Sequence, residues 1–113
     1  MSTNVLIPPA GVATFPVMQV EAALREELIE TVKTEAAMKG IALPPDEPGI
    51  CKAPVPIDSL VAVSILTVVE AIIGFTLPDS VVRTGGYASV DAALADLVPR
   101  IEAKWKKKNG VSP

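Results

Sequence analysis

Apolar side chains recur at every fourth position in the first third of the chain, which predicts an amphipathic helix. The pattern begins at about Val20 and continues through Leu24, Leu28, Val32 and Ala36, while charged residues occupy much of the rest. Gly40 follows, and glycine is the residue favoured just after the last turn of a helix. We therefore expect a first helix that ends at Gly40.

A second helix is predicted from Ser59 to about Ile73, closing at Gly74. One stripe of it consists of Leu60, Val63, Thr67, Glu70 and Ala71. Further apolar residues stand between these positions, so no side of the helix is fully polar. We expect such a helix to be covered almost all round.

The last predicted helix opens at Ser89, a good N-cap, with Asp91 in its first turn. Its apolar stripe comprises Val90, Leu94, Leu97, Val98, Ile101 and Trp105. Pro99 interrupts the stripe, and we expect it to kink or end the helix near Val98, with a restart over residues 100–108. A short turn of helix is predicted to begin at Pro78 and Asp79, followed by a flexible loop over residues 83–90.

Prolines divide the rest of the chain. Five of them lie within residues 41–57, at Pro44, Pro45, Pro48, Pro54 and Pro56, and such density predicts a long, stiffened loop without regular structure. Asp58 then caps the second helix, and Ser59 falls at its first position, facing outwards. Prolines 8, 9 and 16 likewise predict an extended apolar arm at the N-terminus.

These elements predict an all-α fold, because strand-like alternation is absent and no internal repeat is visible. We expect a small antiparallel bundle of three main helices and one short helix. The predicted organisation is an arm at 1–19, the bundle at 20–108 and a tail at 109–113. A length of 113 residues fits one such domain.

Composition excludes most familiar active sites. The chain has no histidine and one cysteine, Cys51, so it provides neither a His-based triad nor a multi-Cys zinc site. We interpret Cys51 as an unmodified loop thiol. A lone thiol gives no disulfide framework, which favours a reducing cytoplasm.

Charge is distributed unevenly. Residues 1–99 contain five basic and twelve acidic side chains, whereas residues 100–113 contain five basic and one acidic, so the body is −7 and the tail +4. An acidic body argues against nucleic-acid binding and favours partners with basic patches. The lysines at 104, 106, 107 and 108 are interpreted as a solvated helix end, favoured by the helix dipole.

The first residues lack the features of a secretory signal, and none is expected. Residues 60–77 form the one stretch that resembles a membrane span. Glu70 lies near its middle, where a carboxylate is costly, so a buried helix is favoured over a membrane-associated protein.

The order of elements and the residues at their junctions resemble the acyl carrier protein family, including peptidyl carrier domains. Asp58-Ser59-Leu60 is similar to the family's attachment motif, and Glu70 follows where the family usually has a glutamate. Leu77-Pro78-Asp79 resembles the segment before the family's third helix, and Ser89-Val90 the start of its fourth. The resemblance covers roughly residues 21–97.

This resemblance implies a carrier protein of bacterial fatty acid or secondary metabolite synthesis, not an enzyme itself. A phosphopantetheinyl transferase would attach a 4′-phosphopantetheine arm to Ser59, with Asp58 and Leu60 as motif neighbours. The arm would carry an acyl or aminoacyl thioester between loading and transfer enzymes. A transferase would also supply the base that an unassisted serine needs.

The chain departs from the family in two places. Val55-Pro56-Ile57 replaces a common Leu-Gly pair, and Val61 and Ser64 stand where acidic residues usually contact partners. The apolar second helix predicts an apolar partner, a homodimer, or cover from the arm residues Val5, Leu6, Ile7 and Phe15. An alternative is an interaction protein with this fold and no prosthetic group, in which Ser59 is nothing more than a cap.

Overall fold

A computed structural model describes residues 14–110, and their secondary structure is helical. Its α-helices are α1 (Val17–Lys39), α2 (Glu47–Lys52), α3 (Ser59–Ile73) and α4 (Val90–Lys108). A single 3₁₀ turn, Asp79–Val81, lies between α3 and α4. The all-α prediction is confirmed for these residues, in which the only β-type pairing is an isolated bridge between Ile57 and Tyr87.

Helix α1 packs against both α3 and α4 and forms the centre of the bundle. Its core-facing row is Val20, Leu24, Leu28, Ile29, Val32 and Ala36, which contains the row predicted from the four-residue spacing. Gly40 ends it in a left-handed conformation (φ 68°), and the Ile41 N–H donates to the Ala36 carbonyl at 2.8 Å. This is the predicted glycine C-terminus.

The boundary predicted between arm and bundle lies a few residues too late. Helix α1 starts at Val17, so residues 17–19 of the predicted arm 1–19 belong to the bundle. Phe15 is buried, and its ring meets that of Trp105 edge-on at 5.8 Å between centroids. Residues 1–13, which include Val5, Leu6 and Ile7, lie outside the described residues, as do residues 111–113 of the predicted tail.

The prediction that residues 41–57 lack regular structure is wrong, because α2 lies within them. Asp46 caps α2 by accepting from the Gly49 N–H at 2.8 Å. Pro48 stands in the first turn, where a missing N–H costs nothing because that group has no partner inside the helix. The number of prolines therefore does not exclude a helix here, since Pro48 lies at a position that favours a helix start.

Helix α3 has the predicted bounds, but it is not covered almost all round as expected. The buried residues are Ala62, Ile65, Leu66 and Val69, whereas Leu60 is 82% exposed. Thr67 and Ala71 are also exposed, so the helix is not covered all round. Because α3 is apolar on several sides, periodicity alone does not determine which side is buried.

Beyond α3, Gly74 adopts a left-handed conformation (φ 85°) and the chain turns back towards α4. The Glu70 carboxylate accepts a hydrogen bond from the Leu77 N–H at 2.8 Å. The short helical turn expected at Pro78 and Asp79 is present as the 3₁₀ turn. Glu70 therefore ties the end of α3 to the segment that follows it.

Helix α4 continues through Pro99, so of the kink or end predicted near Val98, the end is wrong. Ser89 caps the helix as predicted, accepting from the Ala92 N–H at 3.1 Å. Pro99 and the residue whose carbonyl it leaves unbonded, Ala95, are both exposed, so water can solvate that carbonyl. Core residues on either side of Pro99, such as Leu97 and Ile101, are fully buried and hold both halves in place.

We expect Pro99→Ala to stabilise the protein, because the new N–H can bond to the Ala95 carbonyl and alanine is the better helix former. A gain of about 1–3 kcal/mol in the free energy of unfolding is expected. Urea denaturation followed by circular dichroism measures it. An unchanged or lower value would show that the packing of α4 requires the proline backbone.

Candidate functional site

The predicted attachment residues stand at the start of α3. Asp58 is the N-cap, and its Oδ1 accepts from the Val61 N–H at 2.9 Å. Ser59 is the first residue of the helix and is half-buried, while Leu60 points out of the bundle. The capping role predicted for Asp58 is thus present, whereas Ser59 is less outward-facing than expected.

Backbone pairing with a distant loop holds this helix start in place. Ile57 and Tyr87 exchange two hydrogen bonds, each 2.8 Å from nitrogen to oxygen. Gly86, with φ 81°, passes so close that a Cβ there would overlap the Ile57 carbonyl oxygen and lie 2.9 Å from the Asp58 Cα. Only glycine fits this position without moving the backbone.

Tyr87 anchors the same loop to α4. Its buried hydroxyl donates to Asp96 at 2.7 Å and accepts from the Arg83 N–H at 3.0 Å. The Arg83 guanidinium lies 4.9 Å from the Tyr87 ring centre, and Arg100 pairs with Asp96. Residues 83–90 were predicted to be a flexible loop, but this network fixes them.

Burial is the main cause that raises the pKa of the Tyr87 phenol above its ordinary value of 10. The N–H of Arg83 opposes this rise in pKa, and the hydrogen bond to the Asp96 carboxylate adds to it. The phenol therefore remains protonated and continues to donate to Asp96 at neutral pH.

The Ser59 hydroxyl makes no hydrogen bond to any other group of residues 14–110. The backbone N–H groups of Ser59 and Leu60, at the open end of the helix, also have no acceptor within that range. Such N–H groups and the helix dipole together favour an anionic group. The site therefore presents an unactivated alcohol next to two free donors.

The outer face of α3 beside Ser59 carries no charge. It consists of Leu60, Ser64, Thr67 and Ala71, all exposed. The hydroxyls of Ser64 and Thr67 donate to the carbonyls of Val61 and Ser64 at 2.7 and 3.0 Å. Because these donors are used inside the helix, the face presents mainly apolar and neutral surface.

An open cleft of about 180 Å³ adjoins the other flank of the helix start. Asp58, Val61 and Gly85 line one side of it, and Thr31, Glu35 and Lys39 of α1 line the other. The volume is that of roughly six water molecules. It offers space for part of a small polar group.

Cys51 is buried in α2 and is not the loop thiol that the sequence predicted. Burial raises its pKa above the ordinary value of 9, and the nearby Asp91 carboxylate adds to this rise. A thiol of this kind is a poor nucleophile at neutral pH.

Within residues 14–110, no group of three or more acidic or cysteine side chains is placed to hold a metal ion. Over the same range, none of the helices combines the length and the apolar character needed to cross a bilayer.

Comparisons with protein-family models, with curated proteins and with solved structures found no match to this chain.

Sequence reasoning located Asp58, Ser59 and Leu60 but missed the residues that position them. Tyr87 and Gly86 belong to a segment that looks like an unstructured loop. One signal was present, since a single tyrosine in a chain of so few aromatic residues stands directly after two glycines. Its partners Ile57 and Asp96 are distant in sequence, so the contact itself could not be read from the pattern.

Gly86→Ala should destabilise the protein more than Gly85→Ala. Both glycines have positive φ, and an alanine at Gly85 would meet no atom within 4 Å, so that variant should lose about 1 kcal/mol from backbone strain alone. At Gly86 the methyl group also overlaps backbone atoms, and a loss of about 2–4 kcal/mol is expected. Chemical denaturation compares the two, and equal losses would contradict the close approach to Ile57.

The raised pKa of Tyr87 predicts a loss of stability in alkali. The folded state holds the phenolic proton more tightly, so this contribution is complete below the unfolded pKa of 10 and disappears as pH rises through the folded pKa. Cys51 acts in the same direction from its unfolded pKa of 9.

In Tyr87→Phe, the part of the stability loss that begins near pH 10 should disappear. In Cys51→Ala, that part of the loss should remain. The measurement is the free energy of unfolding as a function of pH. Tyr87→Phe is also expected to be less stable at neutral pH by about 1–2 kcal/mol, because Asp96 and the Arg83 N–H lose a buried partner. An unchanged alkaline slope in Tyr87→Phe would refute the role given to the phenol.

Proposed function

We propose that this protein is an acyl or aminoacyl carrier whose Ser59 hydroxyl receives a 4′-phosphopantetheine arm from a separate transferase. The observation that carries the proposal is the placement of Ser59 as the first residue of α3, directly after the Asp58 cap. The same placement underlies the resemblance to the acyl carrier family, and the bundle would then be of acyl-carrier type. The order of the long α1, the serine helix α3, a short turn and the last helix α4 supports the proposal, with the short helix α2 as an addition between α1 and α3.

The residues present fit a phosphodiester on Ser59. Asp58 uses one carboxylate oxygen for the Val61 N–H, which leaves the N–H groups of Ser59 and Leu60 open to phosphate oxygens. The hydroxyl has no partner in the described chain to compete for it. The Asp58 carboxylate would repel a phosphate held too close to it, so the phosphate oxygens would lie on the side of the free N–H groups.

Attachment is a substitution at phosphorus. Ser59 Oγ forms a bond to the phosphorus of the phosphopantetheine half of coenzyme A, the phosphoanhydride bond breaks, and 3′,5′-ADP leaves. The serine proton passes to a base of the transferase, because the described chain places no base at the hydroxyl. Once bound, the group supplies a terminal thiol that carries acyl or aminoacyl cargo as a thioester.

Any enzyme that acts on Ser59 must approach the start of α3, where it would contact Leu60, which is 82% exposed. The neighbouring outer face of α3 is uncharged, so hydrophobic contact with Leu60 would contribute more to docking than ion pairs would. This differs from the acidic recognition helix that the resemblance implies. Loading and transfer enzymes of this carrier would present an apolar rather than a basic surface.

Incubation with coenzyme A, Mg²⁺ and a broad-specificity transferase tests the proposal. Intact-mass spectrometry should show the addition of one phosphopantetheine group to the wild-type chain and none to Ser59→Ala. Ser64→Ala is the matched control, because Ser64 lies in the same helix and its hydroxyl already donates to Val61. That variant should be modified like the wild type.

Absence of modification with several transferases, in protein shown by circular dichroism to be folded, would refute the carrier function. It would favour the alternative in which the same bundle is an interaction protein and Ser59 only begins a helix. Modification that persists in Ser59→Ala would instead place the attachment elsewhere.

A further inference from the structure

A groove lies at the opposite end of α3 from Ser59. The segment after the helix, with Phe75, Thr76 and Pro78, forms one wall, and the last turns of α4, with Lys104, Lys107 and Lys108, form the other. Its volume is about 730 Å³, and it is open to solvent. The fifteen residues of α3 place it about 22 Å from Ser59.

The groove combines positive charge with an aromatic surface. Lys106 pairs with Glu102, but Lys104, Lys107 and Lys108 form no salt bridge within residues 14–110. The Lys108 ammonium lies 5.9 Å from the centre of the Phe75 ring. The wall formed by residues 75–78 is followed in sequence by one acidic residue, Asp79, which is exposed.

The helix dipole accounts for part of this arrangement, since it favours lysines in the last turn of α4. It does not account for Phe75, which comes from a different element, packs in part against the core and leaves the rest of its ring at the wall of the groove. Three unpaired lysines also repel one another unless an anion lies between them. An anionic ligand with some apolar character would satisfy both the lysines and the ring.

We propose that this groove binds a short acidic segment of a partner protein. Carboxylates of the segment would pair with Lys104, Lys107 and Lys108, while an apolar side chain would contact Phe75 and Pro78. The rest of the chain favours a short ligand, because residues 1–99 carry a charge of −7 and would repel an extended polyanion such as a nucleic acid or an anionic membrane. This binding does not depend on Ser59 or on its modification.

The full chain is titrated into a fluorescently labelled ten-residue peptide that carries three glutamates and one central phenylalanine among neutral polar residues, and anisotropy gives the Kd. A peptide with glutamine in place of glutamate is the ligand control. We expect binding of the acidic peptide only, and weaker binding when salt is raised from about 0.05 M to about 0.3 M.

The triple variant Lys104→Gln, Lys107→Gln, Lys108→Gln should raise the Kd about tenfold, as expected for three exposed charged contacts. The triple variant Arg25→Gln, Lys33→Gln, Lys52→Gln changes net charge equally on other surfaces and should leave the Kd within about twofold of the wild type. Phe75→Ala should raise it about threefold or more, with circular dichroism to show that the variant is folded.

Equal effects of the two triple variants would overturn the proposal, because binding would then follow net charge rather than the groove. Failure to bind the acidic peptide would overturn it too, and so would binding to anionic phospholipid vesicles in preference to the peptide. Ser59→Ala should bind the peptide like the wild type, so the outcome is separable from that of the carrier experiment.

Discussion

Two backbone hydrogen bonds between Ile57 and Tyr87 hold the start of α3 against the loop that precedes α4. They join the residue before the Asp58 cap to a loop that Tyr87 in turn fastens to α4 through Asp96. Gly86 allows the two backbones to approach this closely. The start of α3, and with it Ser59, is thus held by contacts that are distant in sequence as well as by its own Asp58 cap.

The interior of the described chain is apolar, and no charged side chain is buried in it. Polar chemistry is therefore concentrated at helix ends, where backbone groups lack partners. Three helix starts are capped in this way, by Asp46, Asp58 and Ser89. Beyond the end of α3, the Glu70 carboxylate accepts from the Leu77 N–H. The candidate attachment site is another helix end, in which two donors are left over after the cap has used its acceptor.

Helix α3 links two surfaces of different character. Near its start the exposed face is neutral and centred on Leu60, and beyond its end Phe75 meets the lysines of α4. Hydrophobic contact depends little on salt, whereas binding to exposed lysines is screened by it. A partner at one surface and a partner at the other would therefore respond differently to ionic strength, and both could bind at the same time.

The sequence alone determined the helices whose signals are local: the four-residue spacing of α1, the Asp58 and Ser89 caps, and the glycines that end α1 and α3. It failed where distant contacts decide. Helix α3 was expected to be covered almost all round, but Leu60 on its outer face is exposed. Helix α4 passes through Pro99 because packing on both sides holds it, and Tyr87 has partners far away along the chain. Local rules concern groups within one turn of each other, whereas helix rotation and loop anchoring depend on surfaces that meet only after the chain has folded.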